Sequence, residues 1–152
     1  MSTEFEIEGL EEVQRKLKQL GSAKIAKRIA RKSSRQAMNV VRDAARANAK
    51  AIDDPETMEK IWRNIVVGSG KTRNSNEVVT RVGVRGGASF SNKNPPKTPG
   101  GDTRHWRFKE LPTSRSPATP FMRPALSNNI QQVTAKFTQI FSAELDKELA
   151  KL

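Results

Sequence analysis

The chain has 152 residues, a length that suits one domain spanning residues 1–152, and its 28 basic and 16 acidic residues give a net charge of +12. It contains no cysteine, which excludes disulfides and thiolate metal sites. The first nine residues are acidic rather than signal-like, and no apolar run approaches the roughly 20 residues of a membrane span. We therefore expect a soluble intracellular protein that makes no membrane contact.

Two short elements are predicted at the start of the chain. Residues 3–8 alternate between apolar and polar or acidic side chains, with Phe5 and Ile7 on one face, which predicts a half-buried strand. Apolar residues then recur at steps of three and four over residues 10–20, which predicts a helix that ends at Gly21.

A second, longer helix is predicted from Ser22, which can cap it, to about Ala51. One of its faces is apolar or small, and the opposite face is strongly basic. Such a basic stripe attracts polyanions or acidic protein surfaces. The candidates for polyanion contact are Lys24, Lys27, Arg28, Arg31, Lys32 and Arg35.

The middle of the chain predicts a short helix followed by a hairpin. Asp54-Pro55-Glu56 has the pattern of a helix start, with aspartate as cap and proline at the first helical position, and this helix should close at residues 61–62. Two strands then follow, one beginning at residues 65–67 and one at residues 78–85. The polar residues between them predict a hairpin loop that is longer than the tight types.

The last part of the chain combines a loop, a connector and a helix. Residues 86–104 are rich in Gly, Pro, Asn and Ser and predict a flexible loop within the domain. Residues 106–126 contain four prolines, which predict a stiff connector that brings aromatic and basic side chains to one place. From Ala125 onward the apolar spacing predicts a helix of about 28 residues, on the order of 42 Å long. The predicted fold class is α+β, with a small, mostly antiparallel sheet packed with two N-terminal helices and a long C-terminal helix.

Three features could suggest an enzyme, and none supplies a catalytic set. Gly68-Ser69-Gly70-Lys71-Thr72 imitates the end of a phosphate-binding loop, but Ile65 stands where that pattern needs a glycine, and a strand follows instead of a helix. Helix capping explains Asp53 and Asp54 of the acidic residues 53–59, and all these acids should lie on an exposed turn; His105 is the only histidine, which excludes a two-histidine metal site. We predict no enzyme, no metal and no cofactor, with nucleotide binding at Lys71 as the alternative.

Nucleic-acid binding is the stronger competing interpretation. The basic helix and the basic loop offer reach to phosphates. However, residues 24–50 contain no aromatic side chain, the chain has no tyrosine, and no known DNA-reading motif is discernible. The residues therefore predict at most weak contact with DNA that does not depend on its sequence.

The end of the connector carries a specific motif, Pro117-Ala118-Thr119-Pro120-Phe121-Met122-Arg123-Pro124-Ala125-Leu126. With the Gly9-Leu10 start, the leucine-spaced first helix and the basic, alanine-rich second helix, it resembles the minor tail or tail-completion (neck) proteins of lambdoid siphophages, the gene-product-ten-like family. That family has Pro-Ala-x-Pro-Phe-hydrophobic-Arg-Pro-Ala-Leu before a terminal helix. Residues 106–113 stand where the family has an aromatic-rich segment, and Leu111-Pro112 replaces its usual Phe-Gly.

The resemblance implies a structural virion protein of the head–tail junction, located in the tail or neck and present in the host cytoplasm during assembly. It implies a homo-oligomeric ring, expected to be a hexamer, that completes the head-proximal end of the tail and docks to tail terminator, head–tail connector or tail-tube proteins. Aromatic and arginine side chains of the connector are the expected interface. These side chains are Trp106, Arg107, Phe108, Arg115, Phe121 and Arg123. For Phe121 and Leu126, packing in the chain's own core is the alternative.

Overall fold

The computed structural model describes residues 9–152 and has the predicted α+β class. Within these residues, strands β1 (Ile65–Ser69) and β2 (Thr80–Val84) form a two-stranded antiparallel sheet. The strand predicted at residues 3–8 lies outside the described residues. In chain order the elements are α1 (Leu10–Leu20), α2 (Ala23–Ala51), α3 (Ile61–Asn64), β1 (Ile65–Ser69), β2 (Thr80–Val84), a 3₁₀ turn (Arg104–Trp106), α4 (Arg107–Glu110), α5 (Arg123–Ser127) and α6 (Ile130–Leu149).

The described chain divides into two compact units, and each has its own buried residues. The first unit comprises residues 9–40, Ser69–Arg81 and Ile130–Leu152. The second comprises Val41–Gly68 and Val82–Asn129. That the whole chain folds as one domain stays a prediction.

The first unit is built on α1, the first part of α2 and α6. Helix α1 ends where predicted, because Gly21 adopts a left-handed φ of 63° and its N–H donates to the carbonyl of Leu17. Ser22 caps α2, as predicted, by accepting the N–H of Ile25 at 3.3 Å. Helices α1 and α6 pack together, and the buried core of this unit is formed by Val13, Leu20, Ile29, Phe141 and Leu145.

The second unit is organised around the last part of α2. Small residues such as Ala45 and Ala49 are buried there, and their short side chains allow neighbouring backbone to approach closely. The Arg46 guanidinium donates to the carbonyl of Ile65 at 2.8 and 3.0 Å, which fixes the start of β1. The other buried apolar residues of this unit are Val41, Ile65, Phe121 and Ala125.

The prediction that a helix starts at Asp54 is wrong. Asp54 does cap, since its carboxylate accepts the N–H of Glu56 at 3.0 Å, but the N–H of Thr57 then closes an isolated turn on the Asp54 carbonyl. The N–H of Lys60 donates to the carbonyl of Gly100 at 2.7 Å and is therefore lost to any helix through this segment. Helical structure begins only at Ile61 and lasts four residues.

The predicted length of the terminal helix is also wrong. Helix α6 has 20 residues, about 30 Å, and Asn128 and Asn129 separate it from α5. The Asn129 side-chain amide donates to the carbonyl of Ala125 at 2.7 Å. Asparagine side chains compete in this way for carbonyls that would continue a helix, so the apolar spacing alone overestimates its length.

Candidate docking surface

The proline-rich connector is closed at its base by Glu110, the last residue of α4. Its carboxylate is buried and accepts the backbone N–H groups of Phe121 at 2.8 Å, Met122 at 2.9 Å and Arg123 at 2.9 Å. The last of these lies at the start of α5, where N–H groups have no partner within the helix. A carboxylate suits this position because the N-terminal end of a helix is electropositive.

Residues 111–120 consequently form a loop whose two ends are held together. The N–H of Thr119 donates to the carbonyl of Lys109 at 2.8 Å, and Thr113 and Ser116 bond to each other across the tip. Most of the loop is exposed, including Arg115. The connector thus presents an exposed tip. Its prolines restrict the backbone of a loop whose two ends are already held together by hydrogen bonds.

A stacked pair of aromatic rings lies on the surface of the same unit. Phe90 and Phe108 stack with ring centroids 6.3 Å apart and planes inclined by 3°, yet they are 54% and 55% exposed. The Arg104 guanidinium lies 5.0 Å from the centroid of Phe90. Two exposed, mutually supported rings with a cation beside them resemble the aromatic and arginine anchors that dominate protein interfaces. No pattern in the sequence indicates a role for Phe90, because it stands alone in a polar loop.

The loop of residues 86–104 makes several contacts at its C-terminal end. The Arg104 guanidinium binds both oxygens of Asp102, at 2.9 and 3.0 Å, and donates to the carbonyl of Asn92 at 2.6 Å. Its hydrogen bonds hold the pKa of Asp102 below the ordinary value of 3.8. The indole N–H of Trp106 donates to the carbonyl of Gly87 at 3.2 Å. These contacts support an ordered base for the loop, whose flexibility stays a prediction.

Asn64 fixes the turn at the end of that loop. Its buried side-chain amide donates to Thr98, Gly101 and Thr103, and its carbonyl oxygen accepts the N–H of Gly100 at 2.8 Å. A fully buried amide with all of these partners is a structural anchor rather than a reactive group. It brings the loop that carries Phe90 back to α3.

The predicted interface side chains differ in their exposure. Arg107, Phe108, Arg115 and Arg123 are exposed, and Trp106 is half-buried. Phe121 is fully buried and meets Trp106 edge to face at 6.5 Å, so its position is that of a core residue, and core packing was the alternative interpretation. The role of the other side chains in an interface stays a prediction.

Three of the six side chains that were predicted to contact polyanions instead bond to other groups of the first unit. Arg28 pairs with Glu148 at 2.7 Å and Lys32 with Glu144 at 3.1 Å, and Lys27 donates to the carbonyl of Ser75. Hydrogen bonds from Lys32, and then from Lys147, hold the pKa of Glu144 below its ordinary value of 4.5. Lys24, Arg31 and Arg35 are exposed and form no ion pair within residues 9–152.

The sequence that imitates a phosphate-binding loop belongs to the hairpin. The N–H of Gly70 donates to the carbonyl of Val79 at 2.8 Å, and the Thr72 hydroxyl bonds to the Asn74 carbonyl and the Glu77 carboxylate. Residues 70–79 contain no helix whose N–H groups could hold a phosphate. In the part of the chain that the structure covers, no cluster of three or more His, Asp or Glu side chains could hold a metal ion. The helices within residues 9–152 are each too short or too polar to cross a membrane.

One known protein family matches most of the chain. A family model described as "Bacteriophage HK97-gp10, putative tail-component" matches residues 11–111. The chain belongs to this HK97-gp10-like family. No curated protein and no solved structure matches it. The match begins in α1 and ends just after Glu110, so it does not include the motif of residues 117–126 on which the resemblance in sequence most depended.

Membership in the HK97-gp10-like family confirms the predicted class, a structural component of a phage tail. It also places the chain in the virion, among other virion proteins.

The surface formed by Phe90, Phe108 and the loop of residues 111–120 is hereafter called the docking surface.

Proposed function

We propose that the chain completes the head-proximal end of a phage tail at the head–tail junction. It assembles there as a homo-oligomeric ring and docks to neighbouring neck or tail proteins: the terminator, the head–tail connector or the tail tube. In this proposal it acts by binding and not by catalysis.

The observation that carries the proposal is the docking surface, read together with membership in a family of phage tail components. Glu110 holds the ends of the exposed loop, so that little conformational entropy remains to be lost when a partner binds the tip. Phe90 and Phe108 expose apolar rings that a partner can cover, and Arg107 and Arg115 can form paired hydrogen bonds with its carboxylates.

Two surface substitutions test the proposal in the phage that encodes the chain. Phe108→Ser removes one exposed ring, and Arg115→Glu reverses the charge at the loop tip; neither side chain is buried, so folding should be retained. We expect each to weaken docking at least about tenfold, which corresponds to a loss of roughly 1.4 kcal/mol of binding free energy, and to lower the infectious titre. Electron micrographs should then show filled heads separated from tails.

Arg73→Glu is the matched control, because Arg73 is exposed on the hairpin loop of the first unit and undergoes the same charge reversal. Its titre should stay at the wild-type level. Light scattering of the purified protein should show an oligomer that persists at moderate salt. A protein that stays monomeric with tail components present, together with normal titres for both docking-surface variants, would refute the proposal.

Non-specific DNA binding is the second candidate function, favoured by three exposed cations of α2. Lys24, Arg31 and Arg35 follow each other at steps of seven and four residues and therefore share one helix face. Substituting all three by Gln should reduce the slope of log affinity against log salt by up to about 2.7, because each phosphate contact contributes about 0.9. Lys93, Lys97 and Arg115 changed to Gln remove the same charge elsewhere. If both triple variants lower the slope equally, net charge and not the α2 stripe accounts for binding.

A further inference from the structure

The first unit carries an open apolar groove that no side chain of residues 9–152 fills. It encloses about 680 Å³ between α1, α2, α6 and the end of the hairpin loop. Alanines on α2 line one side of the depression, and their short side chains leave Phe137 of α6 half-buried. The apolar lining is Leu17, Ala26, Ala30, Val78, Phe137 and Phe141, with Lys24 and Lys27 also contributing to the wall.

The described chain begins within reach of this groove. Gly9 precedes α1, and a side-chain carbon built on it would lie 3.4 Å from the methyl of Thr138 on α6. Thr138 is the neighbour of Phe137, which lines the groove. Eight residues precede Gly9, and an extended chain of that length reaches up to about 26 Å. Residues 1–8 can therefore reach the groove of their own chain.

The sequence of those residues is complementary to the groove. Phe5 and Ile7 share one face of the predicted strand, and both side chains are stabilised by packing against an apolar surface. Acidic residues alternate with them along the segment: Glu4, Glu6 and Glu8. Lys24 and Lys27 supply positive charge beside the apolar lining. An amphipathic acidic segment thus joins the described chain within reach of a groove that has an apolar lining and basic side chains.

We propose that residues 3–8 of the same chain occupy this groove and place Phe5 and Ile7 against Phe137 and the α2 alanines. A segment tethered at Gly9 has an effective local concentration in the millimolar range, which favours its own groove over that of a second copy. The inference concerns the first unit alone and does not rest on the proposed function.

Cross-linking tests the proposal directly, since the chain has no cysteine of its own. Ile7→Cys is combined with Ala26→Cys in the groove and joined with a short bis-maleimide. The control pairs Ile7→Cys with Ala143→Cys, the same substitution at an exposed position of α6. We expect a cross-link within one chain, at the monomer mass, that forms at least tenfold faster than in the control. Equal rates, or a product at the dimer mass, would overturn the proposal, and the dimer would identify a second copy as the occupant.

Unfolding in urea provides a second measurement. The double substitution of Phe5 and Ile7 by Ser should lower the urea midpoint by roughly 1 M, because two apolar side chains then lose their covered surface. Thr3→Ser, in the same segment, should leave the midpoint unchanged. A double variant that unfolds at the wild-type midpoint would show that these side chains cover nothing.

Discussion

The buried carboxylate of Glu110 accepts the backbone N–H of Phe121 at 2.8 Å and so closes a loop of ten intervening residues. The same carboxylate also accepts the N–H groups of Met122 and Arg123, which places three charge-assisted hydrogen bonds on one side chain. Phe121 is in turn buried beside Trp106. A single acidic residue therefore links core packing to the presentation of the exposed loop.

Glu110→Gln should destabilise the protein by about 2–3 kcal/mol. The amide has nearly the same shape but only one acceptor oxygen, so at least one buried N–H loses its partner, and the remaining bonds lose their charge. Urea unfolding measures the loss, and limited proteolysis should cut residues 111–120 faster.

Glu56→Gln is the control for this change, because Glu56 is exposed in the same unit. It should alter the free energy of unfolding by less than about 0.5 kcal/mol. If Glu110→Gln and Glu56→Gln unfold alike, the three hydrogen bonds do not hold the loop.

Asn64→Asp should destabilise the second unit by about 3 kcal/mol at neutral pH. The substitution removes the amide that donates to Thr98, Gly101 and Thr103 and places a buried charge among their oxygens. Thermal unfolding at several pH values should show the loss shrinking as the carboxyl protonates. Asn94→Asp adds the same charge to an exposed part of the loop and should have little effect. An equal effect of the two variants would contradict the anchoring role of Asn64.

Gly100→Ala should be among the most destabilising single-methyl changes in the chain. The added carbon would lie 2.1 Å from the carbonyl oxygen of Lys60 and 2.8 Å from the side chain of Asn64, so the backbone of the turn must move. We expect a loss of more than 2 kcal/mol in the free energy of unfolding. Gly83→Ala adds the same methyl in β2, where nothing lies within 4 Å, and should be neutral or slightly stabilising. Comparable urea midpoints for the two variants would be inconsistent with the tight turn.

Local signals in the sequence were sufficient for the boundary between the first two helices and for the hairpin. The Gly21 end of α1 and the Ser22 cap of α2 depend on residues within four positions of each other, so the pattern determines them directly. The hairpin likewise follows from alternation and the polar loop. Where a more distant group competes for the backbone, as Gly100 does for Lys60, the same local rules predicted a helix that does not form.

The candidate site was predicted only in part, because its main contacts join distant residues. Phe108 and Arg115 were predicted as interface side chains and both are exposed, but no local pattern indicates that Phe90 stacks on Phe108, since the two are 18 positions apart. Similarly, Arg28 and Lys32 were predicted to contact polyanions, and no local pattern indicates that Glu148 and Glu144 on α6 pair with them. Pairing across such distances depends on tertiary structure, which one sequence does not encode in any local pattern.

The motif that resembles the phage family also has a structural reading. Its Phe121 and Ala125 are buried, and its backbone from Phe121 to Arg123 supplies the N–H groups that Glu110 accepts. Proline at Pro124 lies in the first turn of α5, where its missing N–H costs nothing. These positions therefore hold the ends of the loop of residues 111–120 together, and the exposed residues of that loop remain free to contact a partner.

Glu144 makes the stability of the first unit depend on pH in the acidic range. Its pKa lies below the ordinary value of 4.5 because Lys32 and then Lys147 donate hydrogen bonds to its carboxylate. A carboxyl whose pKa is lower in the folded state binds fewer protons there than in the unfolded state. Its contribution is therefore complete above about pH 4.5 and is lost as the pH falls through the folded pKa.

Glu144→Gln should consequently unfold at a lower urea concentration than the wild type at pH 7, and the two midpoints should converge as the pH approaches 3. Glu11→Gln is the matched control, since Glu11 is exposed in α1 of the same unit, and the difference from wild type should be small at both pH values. Urea midpoints measured at half-unit steps from pH 7 to pH 3 provide the test. A difference between Glu144→Gln and wild type that stays constant across this range would mean that the amide perturbs packing, and that the ion pair with Lys32 contributes nothing.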